Sequence, residues 1–365
     1  MTRDIYNFFK NSAKRQRELE ECQHFCEVEP HKILKTSQTR WLSLLSVVKR
    51  ILEQWSALEL YFTRSSLEDR MLSSENILYA LRNPLNKIYF YFLNWILLKI
   101  VQSNEYFQSD KVIITEVYPK MCSTYKDLLL CHMDPKYINQ TELFLVDPER
   151  EEQFITLPNI YLGVGVLEHI SKLNAEEKKD FLMRCRNFLK TCCTEILKRF
   201  NFNDPILKSI CILNKKKKIK PQSIIELANA ISRVSKNFSL QQLNNEWRAL
   251  FIIKTHPEID SMVNTQIDQF CAELRTVKNL LGENQFENIA NFALDLLCYP
   301  HSNAECERTF SKCNLIKTDL RNKLGCDTVD ALLLSSQATK KACITFKPTR
   351  KMLSCMTSDT LYKKL

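Results

Sequence analysis

The chain has 365 residues, 45% of them apolar, a formal net charge of +10 and only four glycines. That apolar share suffices for a large core. Four glycines provide no Gly-rich phosphate loop, and no Ser/His/Asp or Cys/His arrangement of recognisable spacing is present, so no small-molecule site is expected. Few glycines and regular Leu, Ile and Phe spacing predict a mainly α fold. Fifteen scattered cysteines with no secretory leader predict free thiols in a reducing compartment.

Taken in order, Asp4–Lys10 and Lys14–Cys26 read as two short helices, and His31–Lys35 as a short strand after Pro30. Cys22, His24, Cys26 and His31 lie close together. Only half of the paired spacing of a structural zinc site is present, so no metal is assigned. Trp41–Phe62 reads as one regular helix, because Leu44, Val48, Ile51, Trp55, Leu58 and Phe62 step by alternate fours and threes. Asn83-Pro84 restarts the chain. The apolar run Ile88–Val101 is too short to span a bilayer and contains Lys99, so it reads as a buried helix.

Ile113–Met133 is helical, and Asp134–Pro158, with three prolines, reads as a loop region. Asn174-x-x-Glu177 is a capping box for a helix carrying Phe181, Cys185, Phe188, Cys192 and Ile196 on one side. Lys215–Lys218 and Lys220 form a cation run that suits nuclear targeting, a phosphate contact or a solvated loop. Gln222–Val234, Leu240–Ile253, Asp260–Leu281 and Phe286–Leu297 complete the helical middle. After Pro300, Ser302-x-x-Glu305 predicts a capping box for a helix over Ala304–Lys312 or beyond, with Cys306, Phe310 and Cys313 on one apolar side. Gly325 ends that unit, and Asp327 is the expected cap of a second helix carrying Val329, Leu332 and Leu333.

The run Asn303-Ala304-Glu305-Cys306-Glu307-Arg308-Thr309-Phe310-Ser311, followed by Arg321-Asn322-Lys323-Leu324, resembles the C-terminal dimerisation region of hAT-superfamily DNA transposases. Far upstream, Thr39-Arg40-Trp41-Leu42-Ser43 resembles the Arg-Trp motif of the same family. Both are similar in wording to the BED-type and MYM-type zinc-finger proteins that carry host-adopted hAT sequence. The resemblance implies an RNase H-like core interrupted by a large helical insertion. On that map 1–40 is a remnant of the core, 41–285 the helical insertion, 286–338 the returning dimerisation region and 339–365 a tail. The expected fold is thus mainly α, a helical insertion domain plus a C-terminal remnant of an RNase H-like core.

The resemblance also implies a chemistry, in which two aspartates and one glutamate hold divalent metal ions for cutting and joining DNA. The glutamate matches Glu307, while Arg40 and Trp41 match residues that handle the DNA end. A single aspartate, Asp4, precedes Arg40. One carboxylate cannot replace two, because a hard cation needs several oxygen ligands. The expectation is a non-catalytic, transposase-derived interaction protein that pairs with its own copy or a related hAT-derived protein. It is expected to be nuclear, with the cytoplasm as the alternative, and not to use a membrane. The alternatives are a DNA-binding remnant, favoured by the net charge, and a shortened record of an active transposase. Mg²⁺ or Mn²⁺ enters only if aspartates come from elsewhere. A final expectation is an exposed apolar patch around Phe310, whose usual packing face would be missing.

Overall fold

The computed structural model describes residues 1–35, 41–68, 71–214, 223–253, 265–279, 281–338 and 346–356. Among the described residues every regular element is a helix, and pairing of extended backbone is limited to the isolated bridges Met133–Phe154 and Lys278–Asn284. The mainly α expectation holds. The chain divides into two compact units, Met1–His301 and Ser302–Leu365.

The first unit opens with α1 (Thr2–Phe9) and α2 (Ala13–Phe25). Ser12 sits at the N-cap of α2 in extended backbone, and its hydroxyl accepts from Arg15 N at 3.3 Å. Ile5, Phe8 and Phe9 turn inward, and Phe8 meets Phe62 edge to face at 5.0 Å. Both helices stand close to where the sequence predicts them. His31–Lys35 is not the expected strand: Gln23 and Arg50 bond its carbonyls at His31 and Lys32, so side chains take the place of a ladder.

The single helix expected over Trp41–Phe62 is two, α3 (Trp41–Glu53) and α4 (Trp55–Glu68), parted at Gln54. The stripe is nonetheless core, since Val48, Ile51, Trp55, Leu58 and Phe62 are all buried. Gln54 interrupts it because its fully buried side chain bonds outward to two other segments. After α5 (Leu72–Arg82), Asn83 caps α6 (Pro84–Phe107), with Pro84 in the first turn where no donor is lost. None of the described helices is long and apolar enough to cross a membrane.

α7 (Ile114–Leu130) leads into the stretch expected to be loop. That stretch instead holds α8 (Pro135–Gln140), capped by Asp134 at 2.7 Å, and three single 3-10 turns. Pro135 and Pro158 sit in first turns, where they start helical segments, Pro148 lies in a turn, and Ile138 and Val146 join the core. α9 (Val164–His169) follows Gly163, and the Asn174–Glu177 capping box forms in full at the head of α10 (Ala175–Arg199). On α10 Cys185 and Cys193 are buried, and burial pushes both thiols up, so they act as small apolar groups.

A second core gathers around α11 (Pro205–Ile210), α12 (Ser223–Ala230), α13 (Ser232–Ser235), α14 (Leu240–Ile253), α15 (Ile267–Leu274) and α16 (Glu287–Leu297). The helix expected over Asp260–Leu281 is α15 where it is described. It ends at Leu274, and the chain then turns back at Gly282, with Asn279 Oδ1 accepting from Leu281 N and Glu283 N. Across this core the Glu246 carboxylate of α14 accepts from Asn288 Nδ2 at 2.6 Å and Ile289 N at 2.8 Å, occupying free donors at the start of α16.

The second unit contains α17 (Ala304–Ile316), a 3-10 turn at Asp319–Arg321, α18 (Cys326–Ala338) and the short α19 (Arg350–Ser354). α17 and α18 pack on each other as a helical hairpin.

Candidate functional site

The helix over the Asn303–Ser311 run begins at Ala304, as expected, but its N-cap position falls on Asn303 rather than Ser302. Asn303 holds the N-cap position without a side-chain cap bond, and Ser302 Oγ accepts from Ala304 N at 3.4 Å. Glu305 does not complete the capping box. Its carboxylate turns along the helix to Arg308, which donates through Nη2 at 2.8 Å and Nε at 2.9 Å. Glu305 and Glu307 both lie in the first turn, where negative charge opposes the positive end of the helix dipole. Asp327 also lies within a first turn rather than at a cap, because α18 already begins at Cys326.

What distinguishes this hairpin is how little of its apolar surface is covered. α17 buries no residue fully. Phe310 is 69% exposed, Leu315 79% and Leu320 98%, and Leu334 on α18 is exposed as well. Inner contacts fall to half-buried Cys313 and Ile316 on α17 and to Val329 and Leu333 on α18. Single exposed apolar residues are ordinary, but several large ones on a two-helix unit mark an interaction surface. The patch expected around Phe310 is present.

Residues 281–339 match the model of the hAT family C-terminal dimerisation region. That stretch carries the dimerisation region of the hAT family. The matched stretch takes in α16, whose Ile289, Phe292 and Leu296 belong to the second core, together with the whole α17–α18 hairpin. No curated protein and no solved structure matches the chain. The zinc-finger likeness thus rests on the wording of the two motifs alone.

The other residues singled out from the sequence stand as follows. Glu307 is an exposed side chain of α17. Arg40 and the Lys215–Lys220 run lie outside the described residues, and Trp41 is described only as the first residue of α3. Cys22, His24, Cys26 and His31 do not converge: Cys22 is buried, with its thiol pushed up by that burial, and His24 is exposed.

His31 instead meets two glutamates. Its Nδ1 lies 2.9 Å from Glu53 Oε1 and its Nε2 3.9 Å from Glu29 Oε1, and Arg50 Nε holds the other Glu53 oxygen at 3.0 Å. Among the described residues these three are the one group of ligand-type side chains close enough to hold an ion. The guanidinium on Glu53 already offsets the charge a cation would need, so the group reads as an ion-pair cluster. Neither it nor the Gln23–Gln54 pair was foreseen. No periodicity marks residues that meet across two or three segments.

Proposed function

We propose that this chain is hAT-derived and works by association, its α17–α18 hairpin docking on a second copy or on a related hAT-family protein, and that by itself it does not cut DNA. The observation that carries the reading is the coincidence of the matched dimerisation region with the uncovered Phe310, Leu315 and Leu320. Magnitudes favour it. Fully burying a large apolar side chain stabilises by about 1.5–3 kcal/mol, so three from each of two copies give roughly 9–18 kcal/mol, an upper bound. Association itself costs about 4–15 kcal/mol. The two are close enough that every one of the three side chains matters.

The non-catalytic part rests on Glu307. It is an exposed first-turn carboxylate, outside the one ion-sized group of ligands among the described residues, and a lone carboxylate does not position two metal ions. Light scattering on the full chain across a concentration series tests the association. A mass that rises towards two copies supports it, and a single-copy mass throughout sinks it. Incubating the chain with plasmid in Mg²⁺ or Mn²⁺ tests the second part. Nicking that Glu307→Gln abolishes would show that this chain cuts after all.

Contact with DNA is the second reading, supported by the net charge of +10 and the Lys215–Lys220 run. The same run supports a nuclear location. Duplex binding that weakens steeply with salt would favour DNA contact.

A further inference from the structure

We propose that a groove in the first unit, between the α1–α2 elbow and residues 30–33, binds a short acidic peptide carrying an apolar anchor side chain. The site is separate from the dimerisation region and its occupant is of a different kind. The groove encloses about 580 Å³, within the range of sites that take small ligands. Its apolar lining comes from Phe9 and Leu19, both buried, and from half-buried Ile33. Lys10, Arg17 and Lys32 also line it, one each from the end of α1, the exposed side of α2 and the segment 30–33.

All three cations are exposed, and among the described residues none has an ion-pair partner. Elsewhere on this surface cations are commonly paired, as Lys14 is with Glu18 and Arg64 with Glu68. Three unpaired positive groups around an apolar floor complement a ligand with negative charge outside and a hydrophobic group in the middle. A polyphosphate backbone fits less well. It has no side chain to place on the apolar floor formed by Phe9, Leu19 and Ile33.

Conformation also suits a peptide. Residues 30–33 lie outside any helix or sheet, and the Gln23 side chain holds the His31 carbonyl at 2.9 Å, so this wall is fixed before anything binds. A preordered wall lowers the ordering cost of docking.

Fluorescence anisotropy on the full chain tests the proposal with a labelled peptide of sequence Glu-Glu-Asp-Phe-Asp-Glu. Comparison probes are the same peptide with Ser for Phe, a Lys-Lys-Lys-Phe-Lys-Lys peptide and a six-nucleotide oligothymidine. The acidic peptide should bind, more weakly as salt rises. Lys10→Glu and Arg17→Glu should each weaken it by about tenfold, as should replacing its Phe. Lys179→Glu on α10, which is no part of the groove, should leave binding unchanged. All four residues in these comparisons are surface groups or probe groups, and far-UV circular dichroism confirms that each variant folds. The proposal is overturned if oligothymidine binds as tightly as the acidic peptide, or if the Lys10→Glu, Arg17→Glu double variant binds it undiminished.

Discussion

The Nε2 of Gln23 donates to Oε1 of Gln54 at 2.8 Å, joining two fully enclosed amides that lie 31 residues apart in sequence. Each has a second task. Gln23 Nε2 also reaches the His31 carbonyl, and Gln54 Nε2 donates to the Glu29 carbonyl at 3.0 Å. The pair therefore holds the bend after α2 against the junction of α3 and α4. Buried polar groups are tolerable only when satisfied in this way.

Gln54→Ala should destabilise the chain by about 2–3 kcal/mol, because it removes one of the buried Gln23 amide's two acceptors and the donor to the Glu29 carbonyl and leaves a cavity. Gln23→Ala should act similarly. The double variant should fall well short of the sum, since the second change removes a partner already lost. Urea unfolding of the four proteins measures this, and strict additivity would show that the pair is not coupled.

Glu246 acts on α16 from another helix, giving Ile289 N and Asn288 Nδ2 an acceptor. Glu246→Ala should cost about 1–2 kcal/mol. Glu246→Gln keeps one acceptor oxygen and should lose less. The readout is hydrogen exchange at the Ile289 amide, which should quicken more in the alanine variant than in the glutamine variant.

Gly163 has φ +95°, and a Cβ built there would lie 2.6 Å from Trp95 Cγ. Gly163→Ala combines a strained backbone with a clash against a large ring, so a loss of about 2–4 kcal/mol is expected. Gly282 has φ +83° with open space around it, so Gly282→Ala should lose only about 1 kcal/mol. Thermal unfolding separates the two, and equal losses would remove the role assigned to Trp95.

These comparisons show what the sequence could carry. Local, self-contained signals were legible: the Asn174–Glu177 box forms as read, and the alternating fours and threes from Val48 to Phe62 mark side chains that are buried. Signals that depend on distant partners were not. Nothing near Gln54 in the sequence says that residues 23 and 29 will take its side chain and part a regular stripe there. The Asp134–Pro158 stretch has the composition of a loop, yet Met133 and Phe154 pair across it and Ile138 and Val146 fill the core beneath. At the hairpin the motif residues were identifiable one by one. The local chemistry at Ser302 and Glu305 was misjudged because Arg308, three residues on, competes for the carboxylate.

His132 is buried, donates Nδ1–H to the Leu128 carbonyl at 3.1 Å and has no hydrogen-bond partner at Nε2. Burial, helped by the nearby Arg186 charge, depresses its pKa from 6.5 to about 4. The unfolded chain thus binds this proton more readily than the folded one, so stability rises with pH. The contribution is fully present above about pH 6.5 and is lost as the pH falls through 4, an effect of about 3 kcal/mol. His132→Asn keeps a donor near Nδ1 but does not titrate. Urea midpoints between pH 7 and pH 4 should slope less for this variant than for the parent, and parallel slopes would locate the sensitivity elsewhere.

Sedimentation velocity of the full chain beside its Phe310→Asp, Leu315→Asp double variant tests most directly whether the α17–α18 hairpin is a docking surface. The account predicts a dimer for the parent at micromolar concentration and a monomer for the variant, with unchanged helical content because both side chains are exposed in the single chain. A parent that stays monomeric at every concentration, or a dimer that the two aspartates leave intact, would contradict it.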